Sequence, residues 1–125
     1  MTTKPEPLLV AVYGSLRHGL SNHRLLTTSK LLGTDTLLNL SMYSLGAYPY
    51  VTESTKNKTV FIEVYAVTSD VFDELDRLEG YPSFYTRKLV KTSFGNAWIY
   101  YINHFNNTDH EPVQGGDWVE FLNNR

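Results

Sequence analysis

One stretch of this chain carries a long amphipathic helix pattern, DVFDELDRLEG at residues 70–80. Phe72, Leu75 and Glu79 share one stripe at i, i+3 and i+7, and Val71 and Leu78 complete the apolar face. Thr68 or Ser69 supplies an N-cap, and Asp70 and Asp73 complement the N-terminal dipole. Gly80 is the natural stop and Pro82 blocks continuation. Around this helix the sequence reads mostly as strands. FIEVYAV, within residues 60–67, is rich in branched and aromatic residues. Residues 8–13 form an apolar run that suits a buried strand. Residues 30–45 read as one long or bent strand, and 50–53 as a short pairing segment. Residues 85–92 and 96–103 make a hairpin around Phe94-Gly95. Residues 21–28 predict a short helix capped by Ser21 or Asn22, and 118–122 a closing strand or helical turn. Residues 1–7 read as a frayed start, and 104–112 as a polar loop.

Strands outnumber helices too heavily for a doubly wound sheet. The expectation is an α+β fold in a single domain, residues 1–125. Its core is a mixed, barrel-like sheet of about six or seven strands with one principal helix. A curled sheet of this size can hold a small ligand in its mouth.

Composition narrows the function. The net charge is −2, and no basic run marks a nucleic-acid binder. The apolar run at residues 8–12 is too short to span a membrane or serve as a signal core. Cysteine is absent, which removes disulfides, thiolate catalysis and cysteine metal sites. These features predict a cytoplasmic protein. Nine tyrosines suggest either a pocket with polar tips or a tyrosine-rich β core. Gly14 and Gly19 have Walker-A spacing, but the phosphate-binding lysine is missing. Ser15 is not in a nucleophile elbow. His18 and His23 match no metal spacing, and no metal site is expected.

Two features remain open on the residues alone. Glu79 is the one acid of the helix aimed at its apolar side, which costs free energy unless the carboxylate has a use. It can equally be a frayed helix-end acid or a partner of Arg87. The turn of Tyr13, Gly14, Ser15 and Leu16 follows a buried strand and precedes a helix. It can be a plain connection, or a cradle whose backbone N–H groups hold an anion.

Five segments together carry a family resemblance. They are Tyr13 to Leu16 (YGSL), LDRLEG ending at Gly80, Tyr85 to Arg87 (YTR), Ala97 to Tyr100 (AWIY) and Gly116 to Trp118 (GDW). With YSLGAYP, starting at Tyr43, they span nearly the whole chain. The set resembles the gamma-glutamylcyclotransferase-like superfamily, and its YGSL-Arg form is more similar to the gamma-glutamylamine cyclotransferase and small bacterial branch. Leu16 stands where members acting on gamma-glutamyl amino acids often carry Asn. The resemblance implies intramolecular aminolysis. The substrate's α-amine attacks its own γ-carbonyl, giving 5-oxoproline and a released amine, with no cofactor or metal.

That chemistry suits the residues. One carboxyl group can deprotonate the ammonium and then protonate the leaving nitrogen, and it works best with a pKa near neutral. At the helix C-terminus the dipole gives Glu79 only about 0.3–1 kcal/mol, so burial has to supply most of any shift. The loop from Tyr13 through Gly14 and Ser15 to Leu16 would hold the glutamyl α-carboxylate. Orientation of this kind is worth about 7–11 kcal/mol. Tyr85 would offer its hydroxyl to substrate or to Glu79, and Tyr100 rather than Tyr101 would face the pocket. Arg87 reads as structural, and Asp117 and Trp118 as a cover or wall of the cavity. The rival reading is a small-ligand binding module with the same pocket and no turnover. A third is a related acyl-transfer or deprotecting enzyme on gamma-glutamylated metabolites.

Overall fold

A computed structural model describes residues 8–125. The expected frayed start at 1–7 lies outside them. Eight strands are present among the described residues: β1 (Leu8–Val12), β2 (Lys30–Leu38), β3 (Leu40–Ser44), β4 (Pro49–Glu53), β5 (Thr59–Val67), β6 (Thr86–Thr92), β7 (Gly95–Tyr101) and β8 (Glu111–Pro112). The helices are α1 (Ser69–Glu79) and the short α2 (Trp118–Asn123), with a 3-10 turn at Ser21–Leu26. The fold is α+β, as expected. Among the described residues no helix is long and apolar enough to cross a membrane.

The strand count rises because residues 30–45 are not one strand. Asn39 adopts φ 70°, and its N–H bonds to the Lys58 carbonyl at 2.8 Å. Asn tolerates this left-handed geometry better than other side-chain-bearing residues. The chain therefore leaves one sheet at Leu38 and enters a second at Leu40. The first sheet has the order β2-β5-β1-β7-β6, and the second β4-β3-β8. The first sheet ends on β2 and β6 and is open rather than closed into a barrel. The Ile102 N–H donates to the Val51 carbonyl at 3.0 Å and ties the second sheet to the chain leaving β7.

β1 lies at the centre of the first sheet and is covered on both faces, which is why its residues are apolar without alternation. Leu9 and Ala11 face a core that includes Met42, Val113 and Trp118. Val10 and Val12 face the opposite core, with Phe72 and Leu75 of α1 and Tyr100 of β7. Residues 97–102 alternate in the same way: Ala97 and Ile99 on the first side, Tyr100 and Ile102 on the second.

Topology then decides where the chain ends meet. β5 is antiparallel to β1, with Val67 opposite Leu8, so α1 starts beside the beginning of β1. α1 has 11 residues and is ~16 Å long. β1 has five residues and spans ~16 Å. The helix therefore returns the chain to the far end of β1, where Glu79 meets the turn at 13–16. β7 is parallel to β1, and Thr86 pairs with Tyr101, so Tyr85 and Tyr100 arrive at that same edge.

The ends of α1 follow its sequence. Thr68 Oγ1 accepts from the Val71 N–H at 3.2 Å. Gly80 is left-handed at φ 66°, and its N–H returns to the Arg77 carbonyl. The 3-10 turn differs from expectation. Its N-cap is Leu20, with no side-chain cap, because Asn22 is engaged elsewhere through Ser15. Residues 118–122 are helical, with Asp117 as N-cap accepting from the Glu120 N–H at 3.2 Å.

Candidate active site

The turn after β1 is shaped by close packing. A Cβ on Gly14 would lie 2.8 Å from Pro49 Cδ, so only glycine fits without a shift. The Arg17 N–H closes the turn on the Gly14 carbonyl at 2.9 Å. Asn22 holds Ser15 twice, by its N–H to the Ser15 carbonyl at 3.0 Å and by Nδ2 to Ser15 Oγ at 2.8 Å. Among the described residues, the N–H groups of Gly14, Ser15 and Leu16 donate to no protein acceptor. Unspent donors on successive turn residues are the ingredients of an anion-binding nest.

Opposite the turn stands the end of α1. The Phe84 N–H bonds to the Gly80 carbonyl at 2.8 Å, and the Tyr85 N–H to the Glu79 carbonyl at 3.2 Å. These bonds fold residues 80–85 back on the helix and set Tyr85 beside Glu79. The Glu79 carboxyl is desolvated by its surroundings, and burial pushes its pKa from 4.5 up to about 7. Arg87 does not offset this. It grips Asp76 instead, Nε to Oδ1 at 2.9 Å and Nη2 to Oδ2 at 3.2 Å. Its guanidinium stacks on the rings of Phe72, Tyr81 and Trp98. Among the described residues no ion pair includes Glu79.

Turn and helix end enclose one cavity of about 180 Å³. Tyr13, Gly14, Ser15, Leu16, Glu79, Tyr85 and Tyr100 all line it. The three tyrosines are buried, and each donates its hydroxyl proton to the protein. Tyr13 Oη donates to the Tyr100 carbonyl at 2.7 Å, Tyr85 Oη to the Pro49 carbonyl at 2.6 Å, and Tyr100 Oη to Asp76 Oδ1 at 2.6 Å. The Tyr85 proton thus goes to Pro49 rather than to Glu79. Burial, with the nearby Glu79 charge as a smaller cause, raises the pKa of all three and keeps them neutral. Tyr101 turns to the other side, where it meets Lys88.

A family match falls on the segments that build this cavity. The family described as gamma-glutamyl cyclotransferase, AIG2-like, matches residues 10–120. The chain belongs to that family. A Vibrio cholerae relative is 42% identical over 113 residues, covering 90% of this chain and 96% of the relative. The gamma-glutamylcyclotransferase family protein YtfP of Escherichia coli is 37% identical over 117 residues, covering 89% of this chain and 96% of that protein. Its solution structure has a TM-score of 0.74 and covers 90% of this chain and 97% of that one. A Pyrococcus horikoshii crystal structure has a TM-score of 0.82 at 26% identity, covering 94% of each chain.

Two expectations about the family's terminal GDW segment are corrected. Neither Asp117 nor Trp118 lines the cavity. Trp118 is buried in the core on the other face of β1 and stacks on Phe121. Asp117 pairs with Arg17 Nη1 at 2.8 Å. That pair belongs to a network the sequence reading missed. Arg17 is buried, stacks on Phe61 and donates through Nε to Glu63 Oε2 at 3.1 Å. Glu63 Oε1 also accepts from the His18 N–H and from Tyr65 Oη, both at 2.9 Å. The network bolts the exit of the 13–16 turn to β5. Its signal in the sequence was Glu63, the single charge inside FIEVYAV. Asn22, Tyr48, Pro49 and Phe84 were also missed as lining residues. Among the described residues no cluster of three or more His, Cys, Asp or Glu side chains could hold a metal ion.

Proposed function

We propose that this chain releases 5-oxoproline from a gamma-glutamyl substrate by intramolecular aminolysis, with Glu79 as general base and then general acid. One observation carries the reading. A carboxyl group raised to about 7 shares a cavity with a turn whose backbone donors are unspent. The glutamyl α-carboxylate rests on the N–H groups of Gly14, Ser15 and Leu16. Asn22 braces this end, and Arg24 adds a positive charge behind Asn22. Tyr13, Tyr85 and Tyr100 supply neutral walls and hydroxyl oxygens that can still accept.

With the carboxylate fixed, the α-ammonium lies toward Glu79. The ionised carboxylate takes one proton from it, and the freed lone pair attacks the γ-carbonyl carbon. A five-membered ring closes through a tetrahedral intermediate. Glu79, now protonated, gives its proton to the departing nitrogen as the γ-C–N bond breaks. The ring nitrogen sheds its extra proton, which leaves with the released amine as an ammonium. Charge and protons balance without an outside reagent. Near neutral pH a group of pKa about 7 is both a competent base and a competent acid.

Glu79→Gln tests this reading. The variant is expected to fold and to release no 5-oxoproline from gamma-glutamyl amino acids, gamma-glutamyl-ε-lysine or gamma-glutamyl polyamines. Turnover equal to the parent's removes Glu79 from the mechanism. Thermal stabilisation of the parent by these compounds without product assigns the pocket to ligand binding alone.

A further inference from the structure

Helix α1 presents two acids to one pair of side chains on the sheet. Arg87 of β6 and Tyr100 of β7 are paired directly across the strands, so their side chains stand together on one face. Both reach Asp76. Its Oδ1 accepts from Arg87 Nε at 2.9 Å and from Tyr100 Oη at 2.6 Å, and its Oδ2 accepts from Arg87 Nη2 at 3.2 Å. The ion pair is largely buried, with the two side chains 18% and 20% exposed. Three rings fix the guanidinium, with centroids 4.7 Å (Phe72), 4.1 Å (Tyr81) and 4.6 Å (Trp98) from it.

Glu79 lies three residues beyond Asp76 on the same helix, a spacing that makes the two neighbours, with Cβ atoms about 5–6 Å apart. Besides burial, the largest cause, three charges act on the Tyr100 hydroxyl: Asp76 and Glu79 oppose its ionisation and Arg87 favours it. Asp76 is not a wall of the cavity, whereas Tyr100 and Glu79 are. The other ionisable side chains on that wall are Tyr13, Tyr48 and Tyr85, with Arg24 behind Asn22. Tyr13 and Tyr85 give their protons to carbonyl oxygens. Arg87 and Tyr100 therefore face two adjacent carboxylates, and Asp76 takes both donors. The alternative arrangement has different chemistry. A carboxylate that accepts from a guanidinium and a phenol is held ionised and is a weak base. A buried carboxyl without those donors keeps its proton to higher pH and can both take and return one.

We propose, on the cyclotransferase reading above, that Asp76 is a positioning residue for the reaction: it holds Arg87 and Tyr100 away from Glu79. Asp76→Asn tests this, alone and together with Arg87→Met. Two readouts are taken on each protein. One is the titration of the Glu79 carboxyl by carbon-13 NMR, assigned by its loss in Glu79→Gln. The other is the pH profile of 5-oxoproline release from the gamma-glutamyl substrate the parent turns over fastest. Asn keeps the shape of Asp76 without its charge, so Arg87 should turn to Glu79. The Glu79 titration should fall by about one pH unit or more, and kcat near neutral pH by about tenfold or more, with KM little changed. Adding Arg87→Met removes the cation and should return the titration close to the parent's. A role in folding alone predicts an unmoved titration in Asp76→Asn and no recovery in the double variant, and either result overturns the proposal. If Asp76→Asn does not fold, Arg87→Lys takes its place, since it keeps both charges but loses the two-pronged grip. It should lower the Glu79 titration by less, and an unmoved titration again overturns the proposal. Parental release of 5-oxoproline with unmoved titrations refutes the positioning role alone. No release from the parent refutes the cyclotransferase reading, and the role in catalysis with it.

Discussion

Replacing Glu79 with Gln should make the protein more stable, and only above a definite pH. Glu79 has its pKa raised from 4.5 to about 7 by burial. Below pH 4.5 the carboxyl is protonated in both folded and unfolded chains and contributes no difference. Between 4.5 and 7 the unfolded chain ionises first, so it binds fewer protons than the folded one. Stability then falls as pH rises, and the loss is complete above pH 7. A shift of this size corresponds to about 3 kcal/mol, which partial solvent access to a half-buried residue reduces to about 2–3 kcal/mol. Gln keeps the shape and removes the ionisation. The assay is thermal unfolding of both proteins from pH 4 to pH 8.5. Every other titrating group is common to both, so the difference isolates position 79. The curves should nearly coincide at pH 4–4.5 and diverge to about 8–12 °C by pH 8, taking roughly 4 °C per kcal/mol for a chain of this size. Curves parallel across the range would mean that Glu79 is solvated like a surface acid. The proposed proton transfer would then lose its physical basis, because the same desolvation energy makes the carboxylate a strong enough base.

The remaining predictions probe the same edge of the sheet. The kcat/KM for a gamma-glutamyl substrate should climb with pH through an apparent pKa near 7, since the free enzyme needs Glu79 ionised; a flat profile from pH 5.5 to 8 contradicts the general-base role. Arg17→Met strands the buried Glu63 carboxylate and should cost about 3–5 kcal/mol in urea unfolding, whereas a loss below 1 kcal/mol would show that the network is dispensable. Gly14→Ala places a methyl 2.8 Å from Pro49 Cδ and forces the turn outward. It should cut kcat/KM by tenfold or more while far-ultraviolet circular dichroism stays native, and parental kinetics would detach the turn from substrate binding.

Sequence made the helix and its stops legible because local rules govern them. The Thr68 cap, the Gly80 stop and the apolar stripe are each decided within a turn of helix. The open sheet and the split at Asn39 were not legible, because both depend on partners far away in sequence. Asn39 takes its left-handed bend while its N–H bonds to Lys58, across the β3–β4 hairpin. No window around residues 30–45 contains that information. The apolar run of β1 marked a buried strand, but not which elements would cover its two faces.

The site divides along the same line. Glu79 was conspicuous because an acid on an apolar stripe violates a local pattern. The partner of Arg87 could not be read, because two acids of α1, Asp76 and Glu79, both precede it closely in the sequence. The choice falls to Asp76, with Tyr100 Oη on the same oxygen and three aromatic rings around the guanidinium. That choice has a chemical consequence. An Arg87–Glu79 pair would favour the carboxylate and pull its pKa down, erasing the base. By engaging Asp76, the protein keeps a strong ion pair one helical turn away and leaves Glu79 to burial alone. The arginine thus matters to the proposed reaction through the acid it holds and the one it leaves unpaired.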